Sequence, residues 1–239
     1  MIIDIITPTY NAELTLELML KRIPREFYKK VNKHFVINDG STDNTVEVIK
    51  KLQKKYKKIV LLDHVVNKGY GAAQKTGYNA CLKDNADIAV MLHADGQYAP
   101  ELLQKIIDPI EKGKAHVTLG SRILGKGALK GGMPIYKYIG NRVLTFIENL
   151  AYGLNISEYH SGYMAYSKKA LTTIPFNKLS NTFHFDGEMT MMSGKKKLIL
   201  KEIPIPTIYG SEKSHVKIFK YGMDVLTIIV KEKTGKYDF

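Results

Sequence analysis

Five short apolar segments in the first half of the chain alternate with segments of helical character, and this alternation most constrains the fold. The apolar segments are IIDIITPTY, KHFVIND, KIVLLDHV, DIAVMLHAD and HVTLGSR, at 2–10, 33–39, 58–65, 87–95 and 116–122. Near-continuous apolar character is typical of parallel strands that are buried on both faces. The intervening segments 12–23, 46–56, 72–84 and 100–113 have helical character. The pattern predicts an α/β fold with a Rossmann-like, mostly parallel sheet flanked by helices.

Local signals predict where several of the helices begin. Asn11 is a candidate cap for the first helix, and Asn44 with Glu47 has the spacing of a capping box for the second. Pro100 is expected in the first turn of the fourth helix, where the missing N–H has no cost.

The second half of the chain is less regular. The glycine-rich segment 123–134 is expected to be a mobile loop, and 135–154 an amphipathic helix. A strand with a short helix (161–171), a helix (183–197), a strand confined to a sheet edge by two prolines (198–209) and a final amphipathic helix (216–233) follow. We predict one large domain over residues 1–215, with a C-terminal amphipathic helix and tail over 216–239.

Composition excludes several classes of protein. The single cysteine, Cys81, allows no internal disulfide and is expected to fill the core. The N-terminus has no signal-peptide pattern and no run of 18 apolar residues occurs, so we expect a mature chain that begins at Met1 and stays in the cytoplasm. The net charge of +13 favours polyanionic partners: nucleic acid, anionic lipid or phosphorylated small molecules.

Polar residues follow each of the five predicted strands. They are Thr9-Tyr10-Asn11, Asn38-Asp39-Gly40, Asn67-Lys68-Gly69, His93-Ala94-Asp95 and Gly120-Ser121-Arg122. Because ligands of open α/β sheets bind beyond the carboxyl ends of the strands, these turns are expected to form one site along one rim.

Two of these turns indicate particular chemistry. Gly69 and Gly71 resemble part of a dinucleotide loop, but Gln74 occupies the place of its third glycine, which argues against a nicotinamide site. Asp95 is a candidate ligand for Mg²⁺ or Mn²⁺, because hard cations prefer carboxylate oxygens and share substrate phosphates. His93 is either a second ligand or a satisfied structural group.

The motifs PTYNAE, INDGSTDNT, NKGYGAA, HADGQYAPE and GSR, in this order, resemble the family 2 glycosyltransferases. The segments SGYMAYSKKAL, FHFDGEM and KEIPIPTIYGSEKS extend the similarity, especially to the dolichyl-phosphate mannosyltransferase-like branch. The resemblance covers about residues 3–215. It implies a GT-A fold, a UDP- or GDP-linked sugar donor, a divalent metal and inversion at the anomeric carbon.

The resemblance also assigns roles to individual residues. It implies that the nucleoside lies against Pro8, Tyr10, Glu13 and Asp39, with Asp39 bonded to the base. The family more often has its acid at the place of Ala12, one position before Glu13. Donor contacts are implied for Lys68, Gly71 and Gln97, metal binding for Asp95 and His93, and catalytic roles for Arg122, Asp186 and Glu188. The family usually has a carboxylate where this chain has His93.

The acceptor stays open between a polyprenyl phosphate and a soluble glycan, protein or small molecule. A hydroxyl acceptor needs a general base, for which Asp186 or Glu188 is the candidate. A lipid phosphate needs cations instead, and the available ones are Arg122, Lys126, Lys130, Arg142 and Lys213. The segment 123–134 is expected to close over the donor and exclude water.

The two amphipathic helices have two interpretations. They either face the core or lie on an anionic membrane surface, with Lys137, Arg142, Lys217, Lys220 and Lys231 towards the head groups. The second interpretation predicts a peripheral protein on the cytoplasmic membrane face.

The sequence fits two other classes of protein less well. A sugar nucleotidyltransferase normally has a glycine- and arginine-rich phosphate loop after the first strand, where this chain has TPTYNAEL. A nucleic-acid-binding module fits the charge, but the lysines are dispersed and no binding motif is present. The sequence therefore predicts no nucleic-acid partner, and it does not indicate the oligomeric state.

Overall fold

The computed structural model describes residues 1–125, 127–206 and 218–239. The strands are β1 (Ile3–Thr9), β2 (Val31–Asp39), β3 (Ile59–His64), β4 (Ile88–Met91), β5 (Val117–Ser121), β6 (Met164–Ser167) and β7 (Leu200–Pro204). The helices are α1 (Leu16–Arg22), α2 (Arg25–Lys30), α3 (Thr45–Lys55), α4 (Tyr70–Lys83), α5 (Leu103–Glu111), α6 (Gly127–Lys130), α7 (Ile135–Tyr152), α8 (Lys168–Thr173), α9 (Phe185–Lys195) and α10 (Ile218–Lys233). Short 3-10 turns span Pro100–Leu102 and Phe176–Lys178.

Within the described residues the strands form one sheet in the order β3-β2-β1-β4-β6-β5-β7. The pairs β1–β2, β1–β4, β2–β3 and β5–β7 are parallel, and only β6 runs against its neighbours β4 and β5. The predicted mostly parallel sheet is therefore confirmed. β7 lies at an edge, as its prolines predict.

Both faces of the sheet are buried, which explains why its strands lack a polar alternation. Ile5 and Val36 face one core with Leu16 of α1, while Ile6 and Ile37 face a second core with Tyr78 of α4. Cys81 is fully buried in that second core, as predicted.

The helix starts were predicted only in part. Pro100 does open the turn that leads into α5. The Asn11 prediction was wrong: α1 begins at Leu16, and the side-chain oxygen Oδ1 of Asn11 accepts the backbone N–H of Thr42 at 2.8 Å. Asn44 precedes α3 but its side chain makes no capping bond there, so the capping-box prediction was also wrong. Instead, the backbone N–H and the side-chain amide of Asn44 both donate to Glu13.

Two further expectations are corrected by the structure. The segment 123–134 is not a loop throughout: it contains α6, and Ile123, Ala128 and Met133 are buried in a small apolar cluster. The core-facing interpretation of the helix at 135–154 was wrong for its apolar face, because the large apolar side chains of α7 are mostly exposed. The described residues contain no helix that is long and apolar enough to cross a membrane.

The predicted domain boundary at 215/216 lies outside the described residues, so the division of the chain stays a prediction.

Candidate active site

The polar turns after the strands gather at one rim of the sheet, as the sequence predicts. β1, β2, β3 and β4 are mutually parallel, and β5 points the same way because β6 reverses direction between it and β4. All five carboxyl ends therefore open on the same side, where a ligand of this fold class binds.

Asp39, at the end of β2, organises the loop that follows β3. Its carboxylate accepts the backbone N–H groups of Lys68 and Gly69, each at 2.9 Å, and contacts His64 Nδ1 at 2.8 Å. The side chain is buried at 4% exposure. Asp39 thus fixes the rim loop 67–69, and its predicted bond to the base must use the remaining lone pairs.

The predicted nucleoside contacts of β1 lie beside Asp39. Pro8 is half-buried and pairs with Ile37 of β2, and the Tyr10 side chain is exposed. Glu13 Oε2 accepts the backbone N–H of Asn44 at 3.0 Å and its side-chain amide at 2.9 Å. The Glu13 carboxylate therefore holds Asn44, the residue that precedes α3, and its contact with a nucleoside stays a prediction.

The loop before α4 packs tightly against residues 180 and 181. A Cβ on Gly71 would lie 2.6 Å from the backbone oxygen of Ser180, so no side chain fits there. The Gly71 N–H donates to the Asn181 carbonyl at 3.0 Å. Lys68 is exposed at the rim, where its charge faces solvent.

The loop after β4 carries the predicted metal residues. Asp95 Oδ1 accepts the backbone N–H of Gln97 at 2.9 Å, and Gly96 between them has a φ of +72°. Arg22 of α1 donates to the Gly96 carbonyl at 2.8 Å and binds Glu101 with two hydrogen bonds. The loop is therefore held by its own Asp95–Gln97 bond and by Arg22 of α1, and the Asp95 side chain is half-buried.

Tyr70, in the first turn of α4, connects His93 with Asp186. Its hydroxyl donates to Asp186 Oδ2 at 2.8 Å and lies 3.1 Å from His93 Nε2. Because the hydroxyl has one hydrogen, and the carboxylate takes it, this network assigns the N–H of His93 to Nε2. Only Nδ1 of His93 is then available to a metal ion.

Asp186, of the two predicted candidates for a base, is the one beside His93. It is 7% exposed, and Gln74 donates to its other oxygen at 2.8 Å. Burial raises the pKa of Asp186, while the hydrogen bonds from Gln74 and Tyr70 and the proximity of His93 oppose that rise. A Cβ on Gly162 would lie 2.5 Å from His93 Nε2 and 3.1 Å from Asp186 Oδ2, so only glycine fits over this cluster.

Glu188 has different partners. Its carboxylate accepts the Ser180 N–H at 2.8 Å and the hydroxyl of Tyr237 near the C-terminus. With 2% exposure it ties the tail to α9, and the geometry favours Asp186 over Glu188 as the group near the reaction.

Arg122 is held by a carboxylate that the sequence analysis did not single out. Its Nε donates to Glu158 Oε1 at 2.8 Å, its Nη2 donates to the same oxygen, and its backbone N–H donates to Oε2 at 2.8 Å. Glu158 is fully buried, and Arg122 Nη2 also donates to the His160 carbonyl at 2.7 Å. Arg122 is therefore fixed in direction at the rim, with much of its charge balanced.

The other predicted acceptor cations are dispersed. Arg142 is exposed and donates to the Ser157 carbonyl at 3.2 Å, and Lys130 is exposed at the end of α6. Lys126 and Lys213 lie outside the described residues.

Sequence reasoning missed Tyr70, Gln74, Gly162, Glu158 and Arg22. One signal was available: Tyr70 and Gln74 are four residues apart, so they share a face of α4. The glutamine that breaks the dinucleotide fingerprint is the residue that holds Asp186. Partners 112 and 116 residues away in the chain cannot be assigned from spacing alone.

The residues present fit a hard divalent cation that takes most of its ligands from a substrate. Among the described residues no three His, Cys, Asp or Glu side chains cluster as a metal site. Asp95 offers one carboxylate and His93 offers Nδ1, so a cation held there would have to take its other ligands from a substrate and water.

Comparison with known proteins identifies the family. The model of glycosyl transferase family 2 matches residues 4–174. The chain belongs to this family. A UDP-N-acetylglucosamine–dolichyl-phosphate N-acetylglucosaminyltransferase of Methanococcus voltae is 33% identical over 220 residues, 87% of this chain and 86% of that protein. A polyprenol monophosphomannose synthase of Mycolicibacterium smegmatis is 27% identical over 204 residues, 84% of this chain and 75% of that protein.

The same fold occurs in solved glycosyltransferase structures. Glucosyl-3-phosphoglycerate synthase of Mycobacterium tuberculosis, solved with Mn²⁺, UDP and glucosyl-3-phosphoglycerate, superposes with a TM-score of 0.71 at 15% identity. The match covers 98% of this chain and 80% of that one. The predicted GT-A fold is confirmed, as are the glycosyltransferase class and the resemblance to the dolichyl-phosphate sugar transferases.

Proposed function

We propose that this glycosyltransferase moves a sugar from a UDP-sugar to a polyprenyl phosphate, with a divalent metal and with inversion at the anomeric carbon. The observation that carries the proposal is the 33% identity to the dolichyl-phosphate N-acetylglucosaminyltransferase of Methanococcus voltae, which extends along 86% of that protein. The Mn²⁺ and UDP of the structurally similar synthase support the metal and the base.

The donor is assigned to the rim between Asp39 and Asp95. The nucleoside lies against Pro8 and Tyr10, with the base at Asp39, and the diphosphate lies towards Asp95 and Gln97. Bound Mg²⁺ or Mn²⁺ supplies neutralisation of the charge that develops on the departing diphosphate. Lys68 adds a positive charge from the exposed side of the rim.

The acceptor phosphate is assigned to the side of the site at Arg122. An ionised phosphate attacks without a general base, so Asp186 is not required to take a proton from it. We assign Asp186 the task of holding Tyr70 and, through it, His93. If the acceptor is a hydroxyl instead, Asp186 is the base, and its raised pKa suits that role.

The proposal places the enzyme at a membrane surface, because the head group of a polyprenyl phosphate lies where the bilayer meets water; we propose the cytoplasmic face. A GDP-sugar donor and a soluble acceptor are the alternatives, and one assay separates all of them.

The assay incubates purified enzyme with UDP-N-acetylglucosamine, UDP-glucose or GDP-mannose and a polyprenyl phosphate in detergent, with Mn²⁺, Mg²⁺ or EDTA. A parallel set replaces the lipid with soluble phosphate and hydroxyl acceptors. We expect a lipid-linked sugar phosphate from one UDP-sugar, no product with EDTA, and an anomeric configuration opposite to that of the donor by NMR.

The variant Asp95→Asn should lower the transfer rate by at least about a hundredfold, because removing the metal's carboxylate weakens an interaction worth several kcal/mol. Asp108→Asn, on α5, is the matched control and should leave the rate unchanged, because the Asp108 carboxylate is bonded to Gln104 and Lys112 and not to the candidate site. Transfer to a soluble acceptor alone, or full activity with EDTA, would overturn the proposal.

A further inference from the structure

Helix α7 turns its apolar side to solvent. Its exposed large side chains are Ile135, Ile139, Val143, Phe146 and Leu150, which are between 52% and 70% exposed. Their spacing of four, four, three and four residues places them on one stripe of the helix. Tyr136 lies beside the stripe with 63% exposure.

The polar side of α7 faces the protein. Thr145 and Glu148 are 1% and 3% exposed. The Asn149 side chain exchanges two hydrogen bonds with the backbone of Ile156, and Asn141 donates to the buried Glu158 at 3.1 Å. A surface helix normally buries its apolar stripe, so this orientation is the reverse of the usual one. These inward bonds fix the orientation, and the exposed stripe is not a consequence of loose packing.

Helix α10 packs along α7 and enlarges the apolar area. Lys233 of α10 donates to the carbonyl of Ala151 at the end of α7. Met223, Leu226 and Val230 of α10 are 50%, 39% and 60% exposed, with spacings of three and four residues. We call the α7 stripe together with this α10 row the apolar surface. More than half of the exposed large apolar side chains of the described residues lie on it or on Leu124 and Leu129 just before α7.

The charges around α7 are almost entirely positive. In residues 123–157 the sequence has four basic residues, Lys126, Lys130, Lys137 and Arg142, of which Lys130 and Arg142 are exposed, and one acidic residue, Glu148, which is buried. An apolar stripe bordered by basic groups matches the boundary between head groups and acyl chains in an anionic leaflet. A second copy of this chain would bring like charges together, and each copy has a net charge of +13, so electrostatics disfavour self-association there.

The apolar surface is connected to the candidate acceptor end of the active site. The Tyr221 hydroxyl of α10 lies 3.0 Å from His160 Nδ1, and the His160 carbonyl accepts from Arg122. Asp224 of α10 contacts His184, one residue before α9, at 3.2 Å. The α10 side of the apolar surface therefore lies next to the segment that holds Arg122.

We propose that the apolar surface docks on the anionic leaflet of a bilayer, with α7 parallel to the membrane plane and its stripe inserted among the acyl chains. The docking rests on this surface alone. That it presents the acceptor phosphate to Arg122 rests on the proposed function.

The test is flotation of the full-length protein with vesicles of phosphatidylcholine, with and without 30% phosphatidylglycerol. The test variant is Phe146→Glu with Leu150→Glu, and the matched control is Leu18→Glu, whose side chain is 61% exposed on α1. Since all three side chains are exposed, melting curves should show folded protein in each case. We expect wild type and control to bind anionic vesicles, and the double variant to bind at least about tenfold more weakly.

Binding should weaken in high salt and on neutral vesicles. The proposal is overturned if wild type does not float with anionic vesicles, or if the double variant floats as well as the control. It is also overturned if wild type is a dimer that the double substitution converts to a monomer, because the surface is then a contact between copies. Transfer to a detergent-solubilised acceptor is measured separately: docking without transfer refutes the proposed function and leaves the docking intact.

Discussion

Tyr70 is the residue through which the strand-end loop of His93 and the helix of Asp186 touch. Its hydroxyl lies within hydrogen-bonding distance of both side chains, and its ring stacks between His93 at 5.6 Å and Phe183 at 5.4 Å. The ring sets the position of the hydroxyl, and the hydroxyl sets the direction of both polar partners. Tyr70 is therefore a positioning residue.

We predict that Tyr70→Phe lowers kcat by about tenfold or more while the KM for the donor changes little. The ring stacking survives, but Asp186 and His93 lose their common partner, and an unsatisfied buried hydrogen-bonding group costs about 1–3 kcal/mol. Steady-state kinetics in detergent measure both constants. The control is Tyr56→Phe, because Tyr56 lies just after the last residue of α3, on a different helix from Tyr70. An unchanged kcat, or a change confined to KM, would contradict the positioning role.

At the scale of single residues, the sequence alone predicted which loops meet at the rim, but not the hydrogen bonds that their side chains make. Asp39 and Asp95 follow buried strands, and this placement is visible in the sequence because the end of an apolar run marks the rim. The Arg122–Glu158 pair was not visible, because the carboxylate lies 36 residues later in an irregular segment. Pairing of this kind depends on the tertiary path of the chain.

The two ends of strand β1 have different surroundings. Its carboxyl end carries Thr9 and leads to the rim, whereas Asp4, near its start, lies fully buried. Asp4 Oδ1 accepts from Lys33 N at 3.0 Å and from Asn32, but Oδ2 has no hydrogen-bond partner. Burial therefore raises the pKa of Asp4 from 3.8 to about 6.

This shift predicts a pH-dependent stability that is independent of the active site. Because the pKa of Asp4 is higher in the folded state, its contribution is fully present below pH 3.8 and is lost as the pH rises through about 6. The loss is at most about 3 kcal/mol, from about 1.4 kcal/mol per pKa unit. Urea unfolding of wild type and Asp4→Asn between pH 4 and 7.5 measures it.

The non-titrating variant should gain stability relative to wild type as the pH rises across this range. A difference in unfolding free energy that stays flat from pH 4 to 7.5 would show that the Asp4 carboxyl titrates normally.

Elements differ in how well sequence predicts them. β1 to β5 and α3 to α5 were predicted because a strand buried on both faces and a helix packed on it leave strong apolar patterns. For α7 the amphipathic pattern was correctly recognised, but a pattern does not say which side turns inward. Here the orientation follows from the bonds of Asn141 to the buried Glu158 and of Asn149 to the backbone of Ile156. The caps at Asn11 and Asn44 failed because Thr42 and Glu13 offered these side chains other bonds.

Among the described residues the molecule combines three features: a rim of strand ends, a loop with one carboxylate proposed to bind the metal, and an apolar surface on α7 and α10. The donor is expected at the first two and the lipid acceptor between the rim and the third. With the proposed function, this arrangement keeps a water-soluble donor and a membrane-bound acceptor at different places on one chain. Binding of the donor comes first, because the acceptor has a reaction partner only if a nucleotide sugar binds at Asp95.

The measurement that tests this claim most directly is the melting temperature of wild type, Asp95→Asn and Asp108→Asn with millimolar UDP, GDP or neither, with and without Mn²⁺. Binding to the folded state stabilises it by about 2.7 kcal/mol when the ligand is at a hundred times its Kd. We predict that UDP with Mn²⁺ raises the melting temperature of wild type and Asp108→Asn by several degrees and leaves Asp95→Asn unchanged. No rise with any nucleoside diphosphate, or an equal rise in Asp95→Asn, would contradict the assignment of the donor site.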